Sequence, residues 1–238
     1  MKKLLSFAVA ALSIAAVADV SYSPTIGVTE ITTTNKNTIV AVPFTSLGGD
    51  EAISVTDLVC TNGIDVGSWI YVFKAGGYKA WHLGNSGWEA ATTANEGESD
   101  YSTPTAGDEN VASPGAIWVI LKDAPAANEP KSIFIYGNYT NPATSVSIAA
   151  GNNLIANPLQ TDATITIANP TALDQIIVPN DVKSVVYTYA ATGKWCKIEG
   201  KKRTEGTPEI PVGQGFWYIS KATGTSNTSV SFTAKVGE

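Results

Sequence analysis

The chain is short of the side chains on which most chemistry depends. It contains one histidine, two cysteines and one methionine, and only 15% of its residues are charged. A Ser-His-Asp relay would have to use His82, the single histidine, and no G-x-S-x-G elbow is present to display a serine. Two thiols cannot by themselves build a structural zinc site, and neither C-x-x-C nor H-x-x-x-H occurs. Basic residues are outnumbered, 15 against 21 acidic, which disfavours a nucleic-acid partner. Gly213-Gln214-Gly215 runs into a strand pattern, whereas a nucleotide-binding G-x-G must run into a helix. No apolar periodicity is long enough for a helical bundle or a parallel α/β fold.

The one long apolar stretch lies at the start. Lys2 and Lys3 precede an apolar segment from Leu4 to Val17, and Ala16-Val17-Ala18 forms an A-x-A cleavage signal. Residues 1–18 are therefore expected to be a signal peptide, too short for a spanning helix. The remainder is expected to be exported, to the periplasm, cell surface or extracellular space, with no transmembrane segment. In such a compartment Cys60 and Cys196 have two open readings: a disulfide between the halves of the chain, or two buried free thiols.

What the chain does contain, it contains twice. Residues 37–44, N-T-I-V-A-V-P-F, match 152–159, N-N-L-I-A-N-P-L. Residues 71–83, Y-V-F-K-A-G-G-Y-K-A-W-H-L, match 187–198, Y-T-Y-A-A-T-G-K-W-C-K-I. Residues 113–124, S-P-G-A-I-W-V-I-L-K-D-A, match 212–223, V-G-Q-G-F-W-Y-I-S-K-A-T. The order is kept, as an internal duplication requires. It sets Trp81 against Trp195, Trp118 against Trp217 and His82 against Cys196.

Strands are expected at 39–44, 68–74, 79–83, 116–122 and 132–136, and again at 154–159, 184–189, 194–198, 215–220 and 229–234. Each is rich in β-branched and aromatic residues and bounded by Gly, Asn, Pro or Asp. Short helices are expected at 55–60 and 171–178, each behind a Ser or Thr cap. The expected fold is mainly β: two tandem antiparallel sandwich- or barrel-like repeats, 19–150 and 151–238, related by a pseudo-twofold axis, each with at most one short helix.

The motifs N-N-L-I-A-N-P-L and G-Q-G-F-W-Y resemble those of β-modules in secreted bacterial surface proteins, which open with N-L-I-x-N-P and close with G-x-G-F-W. The resemblance covers mainly the second repeat. In the first, Ser113-Pro114-Gly115-Ala116-Ile117-Trp118 lacks the second glycine. It implies an extracellular β-module and carries over neither catalytic residues nor a cofactor.

Candidate sites follow from what does not recur. Trp69 and Trp88 have no tryptophan opposite them in the duplication. With Tyr78 and Tyr101 they are the candidates for stacking on a glycan, against the reading that they too are packed. Glu96, Glu98, Asp100, Asp108 and Glu109 form an acidic loop. It reads either as solvated chain or as weak calcium ligands without the D-x-D-x-D-G spacing. Charge is uneven: 14 acidic and 5 basic residues lie between 19 and 150, against 7 and 8 thereafter. Lys201, Lys202 and Arg203 stand where the first repeat carries its acidic loop, so oppositely charged loops could join copies head to tail. The expected role is a non-enzymatic structural protein that associates with copies of itself or with envelope components. Glycan binding is the alternative.

Overall fold

The computed structural model describes residues 26–44, 52–74, 77–92, 101–112, 114–138, 144–179, 184–223 and 228–235. The expected signal peptide, Glu96, Glu98, Asp100 and the turn residues Ala75 and Gly76 lie outside them. The first half comprises β1 (Ile26–Thr33), β2 (Asn37–Ala41), β3 (Ala52–Ser54), α1 (Val55–Leu58), β4 (Trp69–Lys74), β5 (Gly77–Gly84), β6 (Gly87–Ala90), β7 (Tyr101–Ser102), β8 (Asn110–Ala112), β9 (Ala116–Ile120) and β10 (Lys131–Asn138). The second comprises β11 (Ser145–Ser147), β12 (Gly151–Ala156), β13 (Ala163–Ala168), β14 (Gln175–Val178), β15 (Val185–Tyr189), β16 (Trp195–Glu199), β17 (Lys202–Glu205), β18 (Glu209–Ile210), β19 (Gly215–Ser220) and β20 (Ser229–Ala234).

The fold is mainly β, and its sheets are antiparallel apart from the short β5–β7 pair. Among the described residues the single turn α1 is the only α-helix. The helix expected at 171–178 is absent. Thr171 and Asp174 close a turn, and β14 follows, because Ile176 and Val178 alternate into the core at a strand's period of two. The expected basic turn is a hairpin: the chain reverses at Gly200, at φ +62, and Lys202 and Arg203 already belong to strand β17.

Pairing order recurs after a displacement of ten strands. One sheet runs β2-β9-β4-β5-β6, another β12-β19-β14-β15-β16-β17. Facing them, β1 pairs with β10 and β3 with β8, while β11-β20-β13-β18 form one sheet. Two main cores result. Ile70, Val72, Ile117, Val119, Ile133 and Ile135 are in the first; Ile165, Ile176, Phe216, Tyr218, Val230 and Phe232 are in the second. Full burial of each such side chain contributes about 1.5–3 kcal/mol.

This order corrects one sequence match. Trp81 lies on β5, opposite Ile70 of β4, which pairs directly with β9. Trp195 lies on β16, one strand further out, because β14 stands between β19 and β15. The two tryptophans do not correspond. Tyr187 faces Ile176 as Trp81 faces Ile70, and Trp195 faces Tyr189 as Trp88 faces Leu83. Trp118 and Trp217 do keep matching places, opposite Ile39 and Tyr71 in one sheet and Leu154 and Ile177 in the other.

The backbone bears out the corrected register. Gly67 N–H donates to Leu83 O at 2.8 Å and Leu173 N–H to Tyr189 O at 2.9 Å. The Ser68 hydroxyl accepts the Lys122 N–H at 3.0 Å; the Asp174 carboxylate accepts the Lys221 N–H at 2.6 Å. At the first of these positions Gly67 has φ +93, while Leu173 adopts φ +72.

A leucine in the left-handed region carries a steric cost of about 1–2 kcal/mol that glycine escapes. Leu173 is 60% exposed, so removing its side chain loses little packing. Leu173→Gly is therefore expected to stabilise the protein by about 0.5–1 kcal/mol, after allowing for glycine's extra freedom when unfolded. Urea unfolding measures it, and a loss of stability would contradict the assignment of strain.

Candidate functional site

The strand alternation of β4 and β5 creates the most distinctive surface. Ile70 and Val72 point into the first core, so Trp69, Tyr71 and Phe73 point outward. On β5 the outward residues are Tyr78, Ala80 and His82, each opposite one of those aromatics. Trp118 of β9 joins the same face beside Tyr71. The rings touch in sequence. Trp69 lies 5.6 Å from His82 and 6.0 Å from Tyr71; Tyr71 lies 6.0 Å from Trp118 and 5.9 Å from Tyr78. Phe73 lies 5.4 Å from Tyr78 and 5.0 Å from Trp217, which carries the row onto the second half. All are half-buried, with edge-on or tilted contacts of the kind aromatic quadrupoles favour. Burial pushes the Tyr78 phenol up from its ordinary value, so it remains a neutral hydrogen-bonding group.

Polar groups border the rings. His82 Nε2 lies 3.5 Å from Glu89 Oε2, and among the described residues the buried His82 Nδ1 meets no hydrogen-bond partner. Beyond Phe73 an open cleft of about 900 Å³ runs along the junction of the halves, lined by Lys74, Pro114, Asn152, Asn153 and Leu154 among others.

The corresponding face of the second half is not aromatic. By the corrected register Gln175, Ile177 and Thr188 take the places of Trp69, Tyr71 and His82. The array is thus not something this strand arrangement requires. Only Trp118 and Trp217 recur, and both pack on the small cluster at the junction, Ile39, Ala41, Ala116 and Ala156.

The remaining sequence candidates separate. Trp69 and Tyr78 belong to the array. Trp88 does not: it packs against the first core, and its indole N–H donates to Val59 O at 3.0 Å. Tyr101 is placed by its backbone alone, in parallel register with Tyr78. Asp108 is engaged locally, accepting from the Thr105 N–H and hydroxyl, both at 2.8 Å, and lying 3.2 Å from Lys79 Nζ. Glu109 accepts from the Gly107 N–H. Among the described residues no group of three His, Cys, Asp or Glu side chains is placed to hold a metal ion.

Lys201, Lys202 and Arg203 are exposed at the tip and outer strand of the β16–β17 hairpin. Cys60 and Cys196 are both half-buried free thiols. Cys60 is tied to β10 through the Phe134 carbonyl, and Cys196 sits in β16 between Thr188 and Glu205. Cys60 lies outside any strand, just after α1, while Cys196 lies within β16.

Sequence reasoning missed Asp174. Fully buried, it accepts from the Thr171 N–H, the Lys221 N–H and the Tyr218 hydroxyl, the last at 2.7 Å. Burial and this carboxylate hold the Tyr218 phenol well above its ordinary range. Every acceptor contact of Asp174 is with its own scaffold, and Ser68 does the same work for Lys122, so its role is structural. The signal was Thr-Ala-Leu-Asp before Gln-Ile-Ile-Val, which also reads as a helix cap.

No family model, curated protein or solved structure matches the chain.

The Asp108 carboxyl is lowered to about 2, chiefly by the Thr105 backbone N–H, then by the Thr105 hydroxyl and Lys79. The unfolded value is about 3.9. The carboxylate contribution is thus complete above the unfolded value and is lost as pH falls through about 2. Carbon-detected NMR titration should find that midpoint in the folded protein, and Thr105→Ala should raise it. A midpoint at the ordinary aspartate value would show that the loop does not hold this geometry.

Proposed function

We propose that the protein is an exported, non-enzymatic β-protein made of two copies of one sandwich unit related by a pseudo-twofold axis. The aromatic face of the first copy binds an extended glycan. The observation that carries the reading is the row of rings from His82 through Trp69, Tyr71, Tyr78 and Phe73 to Trp217. It is continuous, and the strand arrangement is kept in the second half without it. Pyranose rings with equatorial hydroxyls offer flat C–H faces to such rings and hydroxyls to neighbouring polar groups. His82, Glu89, Asn152 and Asn153 border the row and the adjoining cleft. Supporting the duplication are the ten-strand recurrence and the paired backbone bonds at Gly67 and Leu173.

Calorimetric titration with cellotetraose tests the binding. Each of Trp69→Ala and Tyr78→Ala is expected to weaken it by about tenfold, the equivalent of losing ~1.4 kcal/mol of stacking. Lys201→Glu, on the far hairpin, should leave it unchanged. Failure of the unaltered protein to bind cellotetraose or another neutral β-linked glycan would remove this reading.

A second reading, self-association, is supported by the exposed cations of the β16–β17 hairpin. Lysine and arginine on an edge strand also serve to discourage unwanted pairing, which weakens it. Association through those charges should fall as salt shortens screening from about 10 Å at 0.1 M to about 3 Å at 1 M. Sedimentation should then show polymers at low salt that vanish when Lys201, Lys202 and Arg203 are all changed to Glu. A monomer under both conditions would eliminate it.

A further inference from the structure

At one place the first half carries four residues that the second lacks. Ile53 of β3 faces Val111 as Ala163 of β13 faces Ile210. Val59 bridges to Ile135 as Ile165 pairs with Phe232. Between these two anchor points the second half continues as one strand, Ala163 to Ala168, while the first half interposes the four residues of α1. The entry bond is conserved in kind: Val55 N–H donates to Glu109 O at 2.9 Å, and Ile165 N–H to Pro208 O at 3.2 Å.

The insertion has a visible consequence. Val55 and Leu58 of α1 are fully buried in the first core, the cluster against which Trp88 packs. The carbonyl of Val59, just after α1, takes the Trp88 indole N–H at 3.0 Å. In the second half Trp195 holds the place of Trp88, and among the described residues nothing holds the place of α1. There an open cavity of about 590 Å³ enters between the sheets, lined by Ile165, Ile167, Pro170, Tyr189, Trp195 and Pro208. Trp195 and Tyr189 meet at 5.2 Å along one wall. Lys194 and Glu205, paired at 2.8 Å, stand at the rim and are more than half exposed. Among the described residues the Trp195 indole N–H meets no acceptor.

We propose that this cavity is a docking site for a peptide segment of a partner protein. The segment would be one helical turn with aliphatic side chains three positions apart, followed by a backbone carbonyl for the Trp195 N–H. The first half shows that chemistry filling the same place: Val55, Leu58 and the carbonyl of Val59. The lining is mixed: Ile165, Ile167 and Pro170 offer apolar contacts and Thr166 and Thr207 polar ones, with Lys194 and Glu205 at the rim, which suits a peptide that presents aliphatic side chains and a backbone together. The inference rests on the strand-for-strand correspondence of the halves and is independent of the glycan face, which lies on the opposite side of its sheet in the other half.

The test uses the full protein and a synthetic peptide, Ile-Ser-Val-Thr-Asp-Leu-Val-Ser-Thr, with blocked ends. This is residues 53–61 with Cys60→Ser. The indole N–H resonances are followed by NMR during titration, and Trp195→Phe assigns the relevant signal. The Trp195 signal is expected to shift saturably at peptide concentrations on the order of millimolar. A peptide carrying Val55→Ser and Leu58→Ser should bind at least about tenfold more weakly. Inserting Val-Thr-Asp-Leu between Thr164 and Ile165 should fill the cavity and abolish the shift; should that variant not fold, the two peptides still decide. The proposal is overturned if the Trp195 signal stays unmoved, if both peptides shift it equally, or if the peptide shifts Trp88 instead. It is equally overturned if cellotetraose shifts the Trp195 signal and the peptide does not.

Discussion

The two halves are held together by an exchange of backbone hydrogen bonds at their strand ends, and much of the structure follows from it. Ala41 N–H of the first half donates to Gly213 O of the second at 2.9 Å. From the other side Ala156 N–H donates to Pro114 O at 2.9 Å, and the Gln214 side-chain amide donates to Ile39 O at 3.1 Å. These groups are buried or half-buried, where an unmade hydrogen bond costs about 1–3 kcal/mol, so the ends of β2 and β12 cannot separate without leaving donors unsatisfied. The approach is close enough that a Cβ at Gly215 would collide with the Ile39 side chain and lie 2.9 Å from Ala116 Cβ. Glycine at that position is a requirement of the junction.

That contact also shapes the candidate binding face. It brings Trp217 of the second half to 5.0 Å from Phe73 of the first, extending a row of rings that one sheet alone could not complete. The same junction leaves the cleft beside Phe73 and Leu154 open. Platform and cleft therefore depend on how the halves meet, and the halves meet through main chain. The face is tolerant of side-chain change, as the substitution of Gln175, Ile177 and Thr188 in the second half illustrates.

Differences between the halves fall at places where the scaffold does not need a particular residue. Ser68 and Asp174 both cap a lysine N–H, and the carboxylate also engages Tyr218, whose counterpart Val119 needs no partner. Gly67 and Leu173 take the same turn at different steric cost. α1 packs into the first core, and the second half, which has no such turn among the described residues, has an open cavity beside Trp195. The aromatic row and the open mouth thus arise in opposite halves, which gives the molecule two different surfaces on one architecture.

Sequence alone determined the class of fold. Alternating β-branched and aromatic residues between Gly, Asn and Pro place most of the strands, because the period of two is a local property of the chain. The first and last matched segments, N-x-[IL]-x-x-x-P and the strand that carries Trp118 or Trp217, fall at the same steps of the two pairing orders. The middle segment was misaligned because any hairpin of aromatic strands around a glycine looks alike locally. Which strand lies beside β9 or β19 is settled by pairing over long separations. For the same reason 171–178 could be read as a helix from its cap, while the burial of Ile176 and Val178 makes it a strand. Trp88 and Trp69 were indistinguishable as residues without an obvious partner; which face of the sheet each occupies decided that one is packed and the other belongs to the aromatic row. Composition and periodicity act locally and are legible in one dimension. Register, facing and the join between halves depend on contacts between distant residues, and only the tertiary structure decides them.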